Sequence, residues 1–202
     1  MLNKYFDSSV DRDFIYANSV LVNINCALVS LEYILNDYLY YDRSIGIYHD
    51  EHTYYFYHIQ ALLTACGNIS NVFYNTAFYG NKDATERCAR LRKRFDIKRK
   101  SYEYIFKKEA RNTNEHFDER YDEYCYNLGD YNLLDDNVNT EMRETILNNP
   151  HLRTYDKVNH IYYTYGRRGN KVSFNLEEMQ RELYNLQKNI LNNPITNSAW
   201  VN

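Results

Sequence analysis

Phe14, Leu21, Leu28 and Leu35 recur at seven-residue intervals, with Ala17, Ile24, Leu31 and Tyr38 interleaved between them. This seam lays one apolar ridge along a helix for more than three heptads, and nothing else in the chain constrains the fold as strongly. It predicts a long helix over residues 11–41. A second seam, Ile59, Cys66 and Phe73 with Leu62, Ile69 and Thr76, predicts another, and Gly67 inside it would let a neighbouring helix approach closely. Residues 43–49, with Gly46 among them, would connect the two. Two long antiparallel helices with a short link begin an up-and-down bundle.

Gly80-Asn81-Lys82-Asp83 ends the second helix, and a third follows with Ala84, Cys88, Leu91 and Phe95 on its apolar side. A fourth is expected over residues 102–128, ending at Gly129. Residues 130–139 read as a polar loop, and residues 140–148 as a short helix stopped by Pro150. The pattern then changes. Val158 to Tyr165 is β-branched and aromatic, Gly166-Arg167-Arg168-Gly169-Asn170 is turn chemistry, and Lys171-Val172-Ser173-Phe174 would return as the second strand of a hairpin. A lone hairpin is barely stable, so this one must lean on the bundle or pair with another chain. Asn175 with Glu178 three residues later marks an N-cap. The last helix has Leu176, Met179, Leu183, Leu186 and Ile190 on one stripe. The expected architecture is mainly α: a helical bundle over residues 1–149, then a β-hairpin and terminal helix over 150–202, packed on it as part of the same domain or as an appendage.

A chain of 202 residues is one domain, large enough to bury a sound core. The N-terminus has no apolar leader, and no uninterrupted apolar run approaches the ~20 residues of a membrane span. Cys26, Cys66, Cys88 and Cys125 are scattered without C-x-x-C spacing, which predicts reduced thiols in a cytoplasmic, non-membrane protein. The 23 Tyr and 9 Phe beside one Trp are unusual. Two readings stay open: an AT-rich coding sequence, or rings that stack on the bases of a single strand.

Chemistry is concentrated in one run, Arg111-Asn112-Thr113-Asn114-Glu115-His116. Its arginine, polar neighbour and following histidine resemble the Arg-x4-6-His signature of HEPN domains, helical bundles that include RNA-cleaving toxins and phage-defence nucleases. The resemblance covers about ten residues plus the helical context. It implies a HEPN-like bundle and a metal-independent endoribonuclease needing no cofactor, with Arg111 and His116 as the catalytic pair and Asn112 supporting them. It also implies a composite site between the protomers of a homodimer, and restraint by an antitoxin protein.

Physically, the pair suits that chemistry. A histidine with an ordinary pKa of about 6.5 exchanges protons near neutrality, and an arginine fork matches phosphate oxygens. On one continuous helix, however, five residues separate the two side chains by about 140°. Either the helix starts inside the run, with Asn112 as cap and Glu115 completing a capping box, or each protomer's pair lines a shared cleft. The rival reading is a solvated helix laced by ordinary i,i+4 charge pairs.

Residues 115–144 carry ten acids against two bases, so RNA would approach from elsewhere. Between Arg87 and Lys100 eight of fourteen residues are basic, and Arg87, Arg90, Arg94 and Lys98 share one helical stripe. The stripe is expected to be solvated, tracking phosphates, docking an acidic partner or simply ending a helix in water. Arg167 and Arg168 at the hairpin tip form a smaller patch of the same kind. His49 and His52, with His58 beyond, form a weak metal pattern, and no metal site is expected. The non-catalytic alternative is a helical interaction protein that binds RNA or an acidic partner.

Overall fold

The structure, a computed structural model, describes residues 8–37, 51–74, 82–107, 137–139, 153–165 and 171–197, with Glu109, Glu119 and Asp122 singly. The described chain is mainly helical. Its elements are α1 (Ser8–Leu35), α2 (Glu51–Phe73), α3 (Lys82–Arg94), β1 (Asn137–Asn139), β2 (Arg153–Asp156), β3 (Ile161–Tyr165), β4 (Lys171–Asn175), α4 (Leu176–Leu191) and the one-turn α5 (Pro194–Asn197).

The α1 seam is real, but its centre is rotated. Ala17, Ile24 and Leu31 are fully buried as the heptad predicts, yet Val20, Ala27 and Ile34 are buried with them, while Phe14, Leu28 and Leu35 lie at the edge. The reason is that α1 has more than one partner. It packs against α2 on one side and α4 on the other, and two neighbours require a stripe wider than a coiled-coil seam. Asn23 meets Asn68 of α2 (3.0 Å), and Asn25 meets Gln187 of α4 (2.9 Å), marking those two boundaries. By length and composition, Arg12–Leu35 could also cross a membrane. Its inner half is the core of this bundle.

α1 and α2 are antiparallel, with Tyr33 beside Tyr54 and His58 at one end. The next helix departs from the up-and-down expectation. α3 meets Asp13 and Tyr16 in the first turns of α1 and the backbone of Val72 and Phe73 at the end of α2. It therefore closes one end of the pair instead of returning along it, and the long position beside α1 goes to α4. Ala84, Cys88 and Leu91 are its buried face, and Phe95 follows them into the core, as its spacing predicts. Asp96, in the left-handed region at φ 46°, turns the chain away.

The helix expected from residue 102 does not start there, and most of its expected span lies outside the described residues. A 3-10 turn at Arg99–Ser101 leads into further turns that bury Tyr102, Ile105 and Phe106. Glu182 of α4 explains the geometry: its carboxylate accepts the backbone N–H groups of Tyr104 (3.0 Å) and Ile105 (3.1 Å).

The hairpin is two strands of four, in the order β1-β2-β3-β4, with β1 parallel to β2 and the other pairs antiparallel. β1 falls where a loop was expected, and β2 was not expected at all. β3 starts at Ile161, three residues later than predicted, because Asp156 turns the preceding chain: its Oδ1 accepts from the backbone of Val158 and Asn159, both at 3.0 Å. Tyr155, Tyr162 and Phe174 align across three strands. That layer faces the helices, Tyr155 meeting Tyr55 at 5.0 Å and Tyr162 meeting Phe56 at 6.3 Å. The sheet thus shares one core with α1, α2 and α4.

All five residues of the predicted α4 stripe are buried. Asn175 caps the helix through Glu178 N–H at 3.0 Å, as expected, whereas the Glu178 carboxylate pairs with Arg181 instead of reaching back. Only half of the reciprocal cap forms. Asn175→Ala is therefore expected to cost about 1 kcal/mol. A urea midpoint lowered at unchanged slope would show it, and an unmoved midpoint would remove Asn175 from the account of α4's start.

Candidate functional site

The basic stripe is built from α3 and the first turns of α1. Asp13 lies one turn before Ala17 on the buried side of α1, and its side chain is 0% exposed. A carboxylate cannot remain charged there without partners. Arg90 and Arg94, one turn apart on α3, supply them. Arg90 contacts Oδ1 with Nε (3.1 Å) and Nη2 (2.8 Å), and Arg94 contacts Oδ2 with Nη1 (2.6 Å). The bonds to Asp13 raise the Arg90 pKa further, so its charge is permanent. Arg87 lies over the Tyr16 ring at 4.9 Å and donates to the Tyr16 hydroxyl at 3.4 Å.

The expectation of a solvated stripe holds only in part. Arg90 and Arg94 hold α3 to α1, and Arg87 is engaged by Tyr16. Lys98, 71% exposed and paired with Asp96 at 3.3 Å, matches the expectation, and Arg90 is exposed as well although it is bound to Asp13. Two further bases of the run bond the backbone: half-buried Arg92 donates to Phe73 O (2.5 Å) above Tyr74, and exposed Arg99 donates to Phe106 O (2.9 Å).

A second polar cluster joins the far end of α1 to the sheet. The Tyr55 hydroxyl donates to Asp37, and the Lys157 ammonium lies between Glu51 (2.5 Å) and Asp37 (3.4 Å), 5.0 Å above the Tyr55 ring. Tyr155 Oη and His160 Nδ1 are 2.8 Å apart. Asp37 and His160 both adopt positive φ (53° and 51°), a conformation their residue types tolerate. Burial, reinforced by Asp37, pushes the Tyr55 hydroxyl far above its ordinary pKa, and burial does the same to Tyr155. Both phenols stay protonated, and the lysine is neutralised between two carboxylates. The arrangement ties the end of α1 and the start of α2 to the turn after β2 and acts as a latch.

Beside it, His58 stacks on Tyr33 at 4.8 Å and meets Tyr54 edge-on at 4.9 Å. Burial lowers its pKa below the ordinary value. The unfolded chain therefore binds this proton at a higher pH than the folded one, and stability should fall as pH drops below about 6.5. His58→Gln is expected to flatten the fall between pH 7 and pH 5. Identical pH profiles of denaturation midpoint for the two proteins would refute this.

Arg111, Asn112 and His116 lie outside the described residues, as do Arg167, Arg168, Cys125 and His49. What the structure does place is the chain just before the motif: residues 102–106, anchored to α4 by Glu182. Burial raises the Glu182 pKa, against the lowering effect of the N–H donors. Nearby Cys66 is buried, and its thiol is pushed up to about 12, which makes it an inert packing residue. Cys26, Cys66 and Cys88 are free thiols. Among the described residues no three His, Cys, Asp or Glu side chains converge as metal ligands.

Sequence reasoning missed Asp13 and Glu182. Asp13 had a signal: an acid four residues before Ala17, on the stripe itself, needs a base from another element. Glu182 sits between Met179 and Leu183 on α4 and offered only the same weak hint. Compared with known proteins, the chain matches no family model, no curated protein and no solved structure.

Proposed function

We propose that the chain is a metal-independent endoribonuclease of HEPN-like type. The observation that carries this reading is the Arg111–Asn112–His116 spacing, in a chain whose described part is mainly helical. In the proposed reaction His116 takes the proton of the RNA's 2′-hydroxyl. The freed oxygen attacks the adjacent phosphorus, the P–O5′ bond breaks, and the 5′-oxygen takes a proton from the imidazolium or from water, which completes the cycle. Arg111 stabilises the charge growing on the phosphoryl oxygens, and Asn112 orients the phosphate or the imidazole. A homodimer with a shared cleft, an antitoxin partner and a cytoplasmic setting belong to the same proposal.

The nucleophile comes from the substrate, so the reaction needs no divalent ion. RNA cleavage should survive excess chelator, fail on DNA of the same sequence, and leave 2′,3′-cyclic phosphate and 5′-hydroxyl ends. Activity abolished by chelator and restored by magnesium would sink this mechanism.

A second reading, an interaction protein without catalysis, is favoured by one observation. The outer face of α1 exposes Ile15, Val22 and Val29 at heptad spacing. Exposed apolar side chains in register are suited to a partner helix.

A further inference from the structure

Asp13 is neutralised twice. One arginine balances a carboxylate, and here two reach it, while their side chains remain 43% (Arg90) and 31% (Arg94) exposed. Each guanidinium has five N–H donors. Arg90 commits the Nε–Nη2 edge to Asp13 and Arg94 a single Nη1, so both keep donors on the solvent side. Arg87 continues the row one turn earlier, its plane set by the Tyr16 ring. α3 carries six bases against two acids, and Asp13 cancels only one more charge. Of the two acids, Glu86 pairs with Lys82 at 3.8 Å and also acts on Arg90 through its charge, which leaves α3 an excess of base.

We propose that the Arg87–Arg90–Arg94 edge, with Arg90 and Arg94 pre-organised by Asp13 and Arg87 held by Tyr16 and Cys88 Sγ, is a phosphodiester-recognition surface for single-stranded RNA. The rises between neighbours, about 4.5 Å from Arg87 to Arg90 and about 6 Å from Arg90 to Arg94, set three guanidinium groups along one line that a phosphodiester backbone can follow. A buried carboxylate that fixes the guanidinium planes from behind removes the rotamer freedom an exposed arginine would lose on binding, and bidentate donors recognise a phosphate's geometry as well as its charge. Asp13 is thus a positioning residue. The proposal rests on the ribonuclease reading only for the choice of RNA as ligand. The binding itself does not require cleavage.

The test uses the full chain and a fluorescein-labelled 2′-O-methyl oligouridylate, which lacks the nucleophilic hydroxyl and cannot be cleaved, titrated across a salt series. Arg87→Gln leaves the Asp13 ion pairs intact. It should weaken binding about tenfold at low salt, the loss expected for one charge-assisted hydrogen bond, and flatten the log–log salt slope by about 0.7. An unchanged affinity and slope would overturn the proposal.

Asp13→Asn separates positioning from bulk charge. It makes the surface more positive, so tighter binding would overturn the positioning role, and weaker binding by a folded variant supports it. Should Asp13→Asn fail to fold, Arg94→Lys gives the same decision, because it keeps the charge and the pairing but removes the fork. Affinity lowered at unchanged slope supports the proposal, and unchanged affinity overturns it. Cleavage of unmodified RNA by the wild type, with oligouridylate binding insensitive to Arg87→Gln, would remove the surface and keep the nuclease reading; binding that responds to Arg87→Gln without any cleavage would do the reverse.

Discussion

Replacing Arg90 and Arg94 together by glutamate should abolish cooperative folding. The substitutions strip both partners from Asp13, which is fully buried, and bring two more carboxylates toward it. Leaving a buried charge uncompensated typically costs about 3–5 kcal/mol, and the added repulsion comes on top. A domain of this size has only about 5–15 kcal/mol in total. The cost is strongly asymmetric. Asp13→Asn frees two arginines that already reach solvent and can turn into it, so it should cost no more than about 1–2 kcal/mol. Thermal melts followed by circular dichroism would check both. A double variant that melts within a degree or two of the wild type would show that the ion cluster does not hold α3 in place. The same arithmetic governs any binding assay on this stripe: charge reversal at Arg90 and Arg94 reports on folding, and only Arg87 and Lys98 can be altered without touching Asp13.

His116→Ala should lower RNA hydrolysis by at least ~10²-fold, the usual contribution of a proton-transferring side chain. Arg111→Ala should lower it by a comparable factor, through loss of transition-state charge stabilisation. The melting temperature should be retained in both, which separates lost chemistry from lost structure. Expression of the wild type in a bacterium should be toxic and that of the variants tolerated. Equal cleavage by wild type and His116→Ala would remove the histidine from the mechanism and leave the interaction-protein reading, for which the exposed Ile15–Val22–Val29 row is the place to look.

How much of this was legible beforehand depended on whether the determinant was local. The α4 stripe could be read residue by residue, and the Asn175 cap with it, because a helix with one wide buried face and a side-chain cap is specified within a few turns of its own chain. The seams of α1 and α2 were legible as helices for the same reason. The rotation of the α1 stripe toward Val20, Ala27 and Ile34 was not, since it depends on α4, whose Gln187 meets Asn25 from 162 residues away. The basic run was legible as charge, but its anchoring to α1 was not. Nothing in Arg87 to Lys100 says that its counter-charge is Asp13.

The amino-acid sequence by itself determined a mainly helical chain, the positions of its long helices, the β3–β4 hairpin and a single Arg–His motif, all of them patterns that repeat or close over short distances. Only the tertiary structure decided that α3 closes the end of the bundle instead of extending it, that β1 and β2 complete the sheet, that Glu182 shapes the turns leading to the motif, and that two of the four stripe bases are bound to a buried acid. Each of those choices is a pairing between residues far apart in the chain. Its free energy comes from burial and ion pairing that exist only once both partners have been brought together.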